Sequence, residues 1–176
     1  MRVAVITSSD SGAAGLREDK SGPLIQEIVT RLGAQVVSCQ LLPDEQQQLE
    51  EAMREIADEG QAELILTTGG TGFSQRDCMP EATQSVSERQ VPGIPEAMRA
   101  YSMQFTGRAM LSRAAAGIRK ETLIVNLPGS PKAIGETLEY IYPHLVHGVE
   151  ILTGAAFDCA PSAHFQERDQ GEQSHG

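Results

Sequence analysis

Residues 64–72 read LILTTGGTG, and this stretch decides the fold. The apolar run Leu64, Ile65 and Leu66 predicts a buried strand, and it leads into the most glycine-dense tract of the chain. Because glycine tolerates positive φ and has no Cβ, the GGTG tract at 69–72 allows close approach of a ligand, and its amides can bind an anion. A tight strand-to-helix turn explains the same glycines equally well. The tract is neither a P-loop nor a GxGxxG fingerprint, because no Gly-Lys-Ser or Gly-Lys-Thr follows and Gln75 replaces a third glycine.

Two strand–helix units precede this stretch. A short apolar run, residues 3–6, predicts a strand that ends in a polar loop, and apolar positions 25, 28, 29 and 32 then predict a helix between Pro23 and Gly33. Residues 35–42 predict a second strand. The apolar face at positions 49, 52, 53, 56 and 57 predicts a second helix, which ends before Gly60.

The second half of the chain continues the alternation of predicted strands and helices. Residues 73–112 hold proline and glycine breaks and predict two or more short helices, and residues 113–119 and 122–127 predict extended segments. A further helix is predicted through about Tyr142, with Ser130 as N-cap and Pro131 at N1. This order favours an α/β fold of three layers, a mostly parallel sheet with helices on both faces. We expect one domain over residues 1–157 and a disordered polar tail over residues 158–176.

Composition limits the possible partners and compartment. The net charge of -10 disfavours nucleic acid and anionic membranes as partners, so an anionic ligand needs local donors. No apolar run approaches the length of a membrane span and no signal-peptide pattern is visible, so we expect a cytoplasmic protein. Cysteines 39, 78 and 159 are odd in number without CxxC spacing, which fits free thiols.

Four loops follow predicted strands and should converge, because ligands of such sheets bind beyond the carboxyl ends of the strands. They are Thr7 to Gly12, Leu42 to Asp44, Thr67 to Asp77, and Asn126 to Lys132.

Two aspartates in these loops are candidate magnesium ligands. Asp77 lies near the glycine tract, where a carboxylate beside bound phosphates can hold Mg²⁺, or it caps a helix that begins near Pro80. Asp44 precedes an amphipathic helix with Gln47 three residues on, so a capping box explains it without chemistry. An aspartate can cap a helix and bind Mg²⁺ at the same time.

Other polar residues are candidates for anion binding. Ser130 and Lys132 open a helix after Pro-Gly and can meet a phosphate, or Ser130 is an ordinary N-cap. Ser112 and Arg113 can reach an anion, or Arg113 forms a surface ion pair. Cys78 is expected to be a passive thiol.

The ordered motifs resemble those of the MoaB/Mog family of molybdenum cofactor biosynthesis. They are LTTGGTG at 66–72, Arg76-Asp77, PEAT at 80–83, Pro92-Gly93, LSR at 111–113, GIR at 117–119 and LPGSPK at 127–132. Ser9-Asp10 and DKSGP at 19–23 also resemble the family's opening pattern, and the similarity covers residues 2 to about 152.

This resemblance implies the molybdenum cofactor biosynthesis protein fold, a molybdopterin-binding domain over residues 1–157, and a homotrimer. It implies an enzyme that transfers AMP from Mg-ATP to the phosphate of molybdopterin and releases pyrophosphate, with a molybdenum insertion enzyme as a possible partner. Asp77 and Asp44 match the family's functional aspartates, catalytic and metal-binding. The implied positions that bind molybdopterin and ATP are Thr7, Ser8, Asp10, Gly69, Gly70, Thr71, Gly72, Glu81, Ser112, Arg113, Gly129, Ser130 and Lys132.

One departure and one alternative accompany the resemblance. The family commonly has Val-Thr between the aspartate and the proline, whereas this chain has Cys78-Met79 and so lacks that hydroxyl. The alternative function is a non-catalytic protein of the same family that binds or delivers molybdopterin.

Overall fold

A computed structural model describes residues 1–155. The strands of this part are β1 (Arg2–Ser8), β2 (Gln35–Leu42), β3 (Leu64–Thr68), β4 (Arg89–Gln90), β5 (Ala116–Arg119) and β6 (Thr122–Leu127). Its helices are α1 (Asp10–Ala13), α2 (Ser21–Arg31), α3 (Gln46–Asp58), α4 (Met79–Val86), α5 (Gly93–Ser102) and α6 (Pro131–Leu152), with a 3-10 helix at Gly107–Leu111. The predicted disordered tail, 158–176, and the predicted domain end at 157 lie outside the described residues.

The six strands form one sheet in the order β2-β1-β3-β6-β5-β4. The first four in that order pair in parallel, so that Val3 lies beside Leu64 and Leu64 lies beside Leu123. Strand β5 runs antiparallel to β6 and to the two-residue edge strand β4. The prediction of a mostly parallel sheet is confirmed, and the carboxyl ends of β1, β2, β3 and β6 share one edge.

Alternate side chains of the sheet enter two separate hydrophobic cores, because successive strand residues point to opposite faces. On one face, Val5, Leu66 and Val125 pack in the core that also contains residues of α2, α5 and α6. On the other face, Ile65 and Ile124 pack with residues of α3 and α4. Helices therefore cover both faces, and the three-layer prediction is confirmed.

The last helix is longer than predicted. We expected it to run through about Tyr142, but α6 continues through Leu152 with Pro143 inside it, although proline lacks an amide hydrogen. Leu145 and Val149, beyond the proline, are buried in the same core as Leu138. The continuous apolar face therefore outweighs one lost backbone hydrogen bond.

The first extended segment predicted after residue 112 is shorter than expected. Strand β5 begins at Ala116, and before it the Arg113 N–H donates to the Thr71 carbonyl at 3.0 Å. The two short helices predicted in 73–112 are present as α4 and α5. Within residues 1–155 no helix has both the length and the apolar character needed to cross a membrane, and Cys39 and Cys78 are free thiols.

A buried asparagine joins three elements behind the strand ends. Asn126 is fully buried, and its amide nitrogen donates to the hydroxyls of Thr67 at 2.9 Å and Thr83 at 2.7 Å. Its Oδ1 accepts the Ala115 N–H at 3.0 Å. Each polar group of this side chain is paired, which is the condition for a buried amide to be stabilising.

We expect Asn126→Ala to lower the free energy of unfolding by about 2–3 kcal/mol, because it leaves the Ala115 amide buried without a partner. Thr122→Val is the matched control, since Thr122 is 2% exposed and its hydroxyl makes a single hydrogen bond, to the Ala62 carbonyl. That change should cost about 1 kcal/mol. Urea unfolding of both variants measures the difference, and equal losses would contradict a special role for the asparagine network.

Candidate functional site

The four loops predicted to converge do so. The Ser9 N–H donates to the Leu42 carbonyl at 2.8 Å, which joins the loops after β1 and β2. The Thr68 hydroxyl donates to the Pro128 carbonyl at 2.7 Å, which joins the loops after β3 and β6. The Ser21 hydroxyl, at the start of α2, reaches the Gly129 carbonyl at 3.2 Å.

The glycine tract makes a left-handed turn pressed against the first strand. Gly69 has φ +88° and Gly70 has φ +61°, a region that side chains rarely adopt. A Cβ on Gly69 would collide with the Ser8 carbonyl. The Gly70 carbonyl accepts the Met79 N–H at 3.1 Å, so the turn also fixes the start of α4.

Asp44 is held by the loop after β1 and not by its own helix. The predicted capping box with Gln47 is wrong, because Glu45 is the N-cap of α3 and no side chain caps that helix. One carboxylate oxygen of Asp44 accepts the Ser8 hydroxyl, and the other accepts the Asp10 N–H at 3.0 Å. The carboxylate lies beside Gly70, whose Cβ would be 3.4 Å from Oδ1.

Asp10 links Asp44 to an arginine of the loop after β3. Its carboxylate accepts the Asp44 N–H at 3.0 Å and two hydrogen bonds from Arg76, each of 3.0 Å. The hydrogen bond from the guanidinium of Arg76, followed by that from the Asp44 backbone, lowers the pKa of Asp10. Arg76 also donates to Glu45 at 2.7 Å. The positive charge of Arg76 thus offsets part of the negative charge of Asp10 and Glu45 at the carboxyl ends of the strands.

Asp77 does not cap α4, so the capping alternative is wrong. The N-cap of α4 is Cys78, without a side-chain cap, and the Asp77 carboxylate instead accepts the Ser74 N–H at 2.9 Å through Oδ2. The same oxygen would lie 2.8 Å from a Cβ on Gly72. The two predicted aspartates therefore flank the glycine tract, Asp44 beside Gly70 and Asp77 beside Gly72.

Arg113 and Glu81 form an ion pair next to Asp77. The Arg113 guanidinium also donates to the carbonyls of Gly72 at 2.6 Å and Asp77 at 2.7 Å. Cys78, adjacent in sequence, is partly buried, and burial followed by the Asp44 carboxylate raises its pKa. A raised pKa agrees with a passive thiol.

A polar cavity of about 230 Å³ lies between the loops after β1, β3 and β6. Its lining contains the predicted residues Thr7, Ser8, Gly69 and Gly129, together with residues the sequence analysis did not assign. The polar lining residues that were not among the predicted binding residues are Ser9, Arg17, Glu18, Asp19, Lys20, Ser21 and Thr68. Its two cations, Arg17 and Lys20, are matched by two carboxylates, Glu18 and Asp19, and its hydroxyls are donors that an anionic group can use.

A second, largely apolar cavity of about 330 Å³ lies on the other side of Gly129. Its lining includes the predicted residues Thr71, Gly72, Ser112, Gly129 and Ser130. Pro95, Met98 and Leu111 supply apolar surface, and Arg99 and Arg108 supply positive charge. Such a lining suits a flat organic group that carries polar substituents.

The two residues at the start of α6 differ in their relation to these cavities. Ser130 is the N-cap of α6 as predicted and Pro131 follows, but the Ser130 hydroxyl makes no capping hydrogen bond. Lys132 is absent from the linings of both described cavities, and its side chain is 84% exposed with Nζ 4.0 Å from Glu136. The structure thus brings Ser130, but not Lys132, into contact with cavity space.

The sequence matches a family model, described as "Probable molybdopterin binding domain", over residues 4–147. The chain belongs to the MoaB/Mog family. The molybdopterin adenylyltransferase of Helicobacter pylori is 39% identical over 156 residues, which are 88% of this chain and 89% of the relative. That of Haemophilus influenzae is 43% identical over 141 residues, 79% of this chain and 72% of the relative.

A solved structure of the MoaB/Mog family has the same fold. The crystal structure of the molybdopterin biosynthesis enzyme MoaB from Thermus thermophilus matches with a TM-score of 0.81 at 43% identity, over 87% of this chain and 96% of that chain. The α/β fold expected from the sequence is therefore that of the family.

Both carboxylate oxygens of Asp44 accept hydrogen bonds, whereas within the described part of the chain only Oδ2 of Asp77 does. Within residues 1–155 no three His, Cys, Asp or Glu side chains come together as a metal cage. Mg²⁺ commonly takes only one or two carboxylates, with water and phosphate oxygens as the remaining ligands. Asp77 offers Oδ1, which accepts no hydrogen bond from the described residues.

We expect Gly69→Ala to destabilise this MoaB/Mog chain by at least about 1–2 kcal/mol, because alanine is strained at positive φ and its Cβ meets the Ser8 carbonyl. Gly129→Ala is the matched control, since a Cβ there meets only Gly69 atoms at 3.7 and 3.9 Å. Thermal and urea unfolding measure the stability of both variants. A tolerated Gly69→Ala would mean that the turn is not fixed by this contact.

Proposed function

We propose that this chain is a molybdopterin adenylyltransferase, which transfers AMP from ATP to the phosphate of molybdopterin. The observation that carries the proposal is the placement of Asp44 and Asp77 on the two sides of the glycine tract, with a polar and an apolar cavity on the two sides of Gly129. The similarity to relatives named molybdopterin adenylyltransferase, over most of their length, supports it.

The reaction forms one phosphorus–oxygen bond and breaks another. An oxygen of the molybdopterin phosphate attacks the α-phosphorus of ATP, and the bond from that phosphorus to the β-phosphate bridging oxygen breaks. The electron pair leaves on pyrophosphate. No covalent intermediate on the protein is required, so positioning and charge stabilisation account for the catalysis.

The residues of the site supply that positioning. In this proposal the backbone of Gly69 to Gly72 contacts phosphate groups, as do Thr7, Ser8, Gly129 and Ser130 from the cavity walls. Asp77 and Asp44 hold Mg²⁺, which neutralises phosphate charge when bound. Lys132 is exposed, and its flexible side chain can reach a phosphate at the start of α6.

Two predicted binding residues, Asp10 and Glu81, act through neighbours in this proposal. Asp10 holds the Asp44 backbone and Glu81 pairs with Arg113. Ser112 lines the apolar cavity, which suits the pterin ring system.

The cellular setting follows from the family and the charge. We infer a cytoplasmic homotrimer whose single domain spans residues 1–157 and whose product passes to a molybdenum insertion enzyme. The net charge of -10 argues against nucleic acid and anionic membranes as partners.

We expect Asp77→Asn to lower kcat for pyrophosphate release by about two orders of magnitude or more, because the variant loses a charge that holds the metal near the reacting phosphates. Asp44→Asn should also lower it. The assay contains molybdopterin, ATP and Mg²⁺. Asp58→Asn is the control, since Asp58 pairs with Arg119 and Lys120 at the far end of the sheet.

Two outcomes contradict parts of this proposal. Equal rates in wild type and Asp77→Asn would exclude the assigned role of Asp77. Tight binding of molybdopterin by the wild type without pyrophosphate release would favour the alternative, a protein that binds and delivers the pterin.

A further inference from the structure

The backbone before β5 is held in place from three directions. Arg99 of α5 donates to the carbonyls of Ser112 and Ala114, each at 3.3 Å. Asn126 accepts the Ala115 N–H at 3.0 Å, and the Arg113 N–H donates to the Thr71 carbonyl at 3.0 Å. The main chain of Arg113 is therefore fixed relative to the glycine tract.

The Arg113 side chain closes the loop that carries Asp77. Its Nε donates to the Gly72 carbonyl at 2.6 Å, at one end of the loop, and its Nη2 donates to the Asp77 carbonyl at 2.7 Å, at the other end. Residues 73–76 between them are exposed. Because a guanidinium presents its donors in one rigid plane, it fixes the separation of the two carbonyls.

Few other contacts define this loop from within. The Asp77 N–H donates to the Ser74 carbonyl at 3.0 Å, and the Ser74 N–H donates to the Asp77 carboxylate at 2.9 Å. Both bonds are local, so they shape the loop without anchoring it to the sheet. Arg76 ties the loop to Asp10 through an ion pair whose side chains are 51% and 47% exposed.

We propose that Arg113 is a positioning residue for the Asp77 carboxylate, and that it is not itself a ligand of the substrate phosphates. The inference rests on the proposed function. Three of its five N–H donors are directed at Gly72, Asp77 and Glu81, and its side chain is 32% exposed. Its positive charge is compensated by Glu81.

Glu81 has a dependent role in this arrangement. It lies in the first turn of α4 and contacts Arg113 through its carboxylate. It accepts a hydrogen bond from Nη1, whereas the loop carbonyls accept from Nε and Nη2. Its effect on the reaction therefore passes through Arg113 and vanishes when Arg113 is replaced.

Arg113→Lys tests the proposal, because lysine keeps the charge but cannot form the planar fork. We expect amide hydrogen exchange at Ser74, Asp77 and Met79 to accelerate on the order of tenfold, relative to the amides of α3. We expect kcat for pyrophosphate release to fall on the order of tenfold to a hundredfold. The KM values for ATP and molybdopterin should stay within about twofold.

The matched control is Arg119→Lys. The Arg119 guanidinium donates to both carboxylate oxygens of Asp58, at 2.9 and 2.7 Å, and to the Val86 carbonyl at 3.2 Å. Arg119 lines neither the polar nor the apolar cavity. This variant should leave exchange in the Asp77 loop and kcat unchanged, whatever it does to global stability. As a single variant, Glu81→Gln should lower kcat. In the double variant with Arg113→Lys it should cause no further decrease in kcat.

A raised KM with unchanged exchange in Arg113→Lys would make Arg113 a direct phosphate ligand and overturn the proposal. Independent, additive effects of Glu81→Gln would overturn its dependent role. If wild type releases no pyrophosphate, the proposed function fails, and the exchange measurement still decides whether Arg113 holds the loop. Unchanged exchange there would overturn the proposal on its own.

Discussion

The parallel pairing of β1, β3 and β6 is the constraint on which the site depends. It brings the ends of these strands to one edge and leaves no room between Ser8 and Gly69 for a side chain. Residue 69 must therefore be glycine, a requirement that its left-handed φ of +88° reinforces, and the turn places Gly70 beside Asp44 and Gly72 beside Asp77. The geometry of the loops is thus a consequence of strand register and local sterics.

Charge at this edge is partly offset by one arginine, within an acidic protein. Asp44 is held by the Ser8 hydroxyl and the Asp10 amide, while Arg76 bridges Asp10 and Glu45. Fixed donors of this kind need no reorganisation when a charged ligand binds, which is the basis of electrostatic preorganisation. These donors hold the carboxylates of Asp44 and Asp10 in fixed positions before any ligand binds.

The sequence predicts most of the layers, because apolar periodicity reports which face of an element is buried. Apolar periodicity fails to predict the structure where tertiary contacts determine it. The last helix was predicted through about Tyr142, but its buried face continues past Pro143 to the end of α6. Asp44 and Asp77 carried capping patterns, yet each is held by a partner other than a helix end. Arg17 and Lys20 lie in a loop without periodicity, and only the DKSGP resemblance signalled that the loop contributes to a cavity.

The two cores on opposite faces of the sheet have different neighbours. Met98 belongs both to the core beneath α5 and α6 and to the wall of the apolar cavity, whereas Leu49 and Met53 of α3 lie in the other core. A volume change at Met98 therefore alters the wall of the apolar cavity directly, and directed evolution of ligand preference has its natural starting point in the α5 and α6 layer.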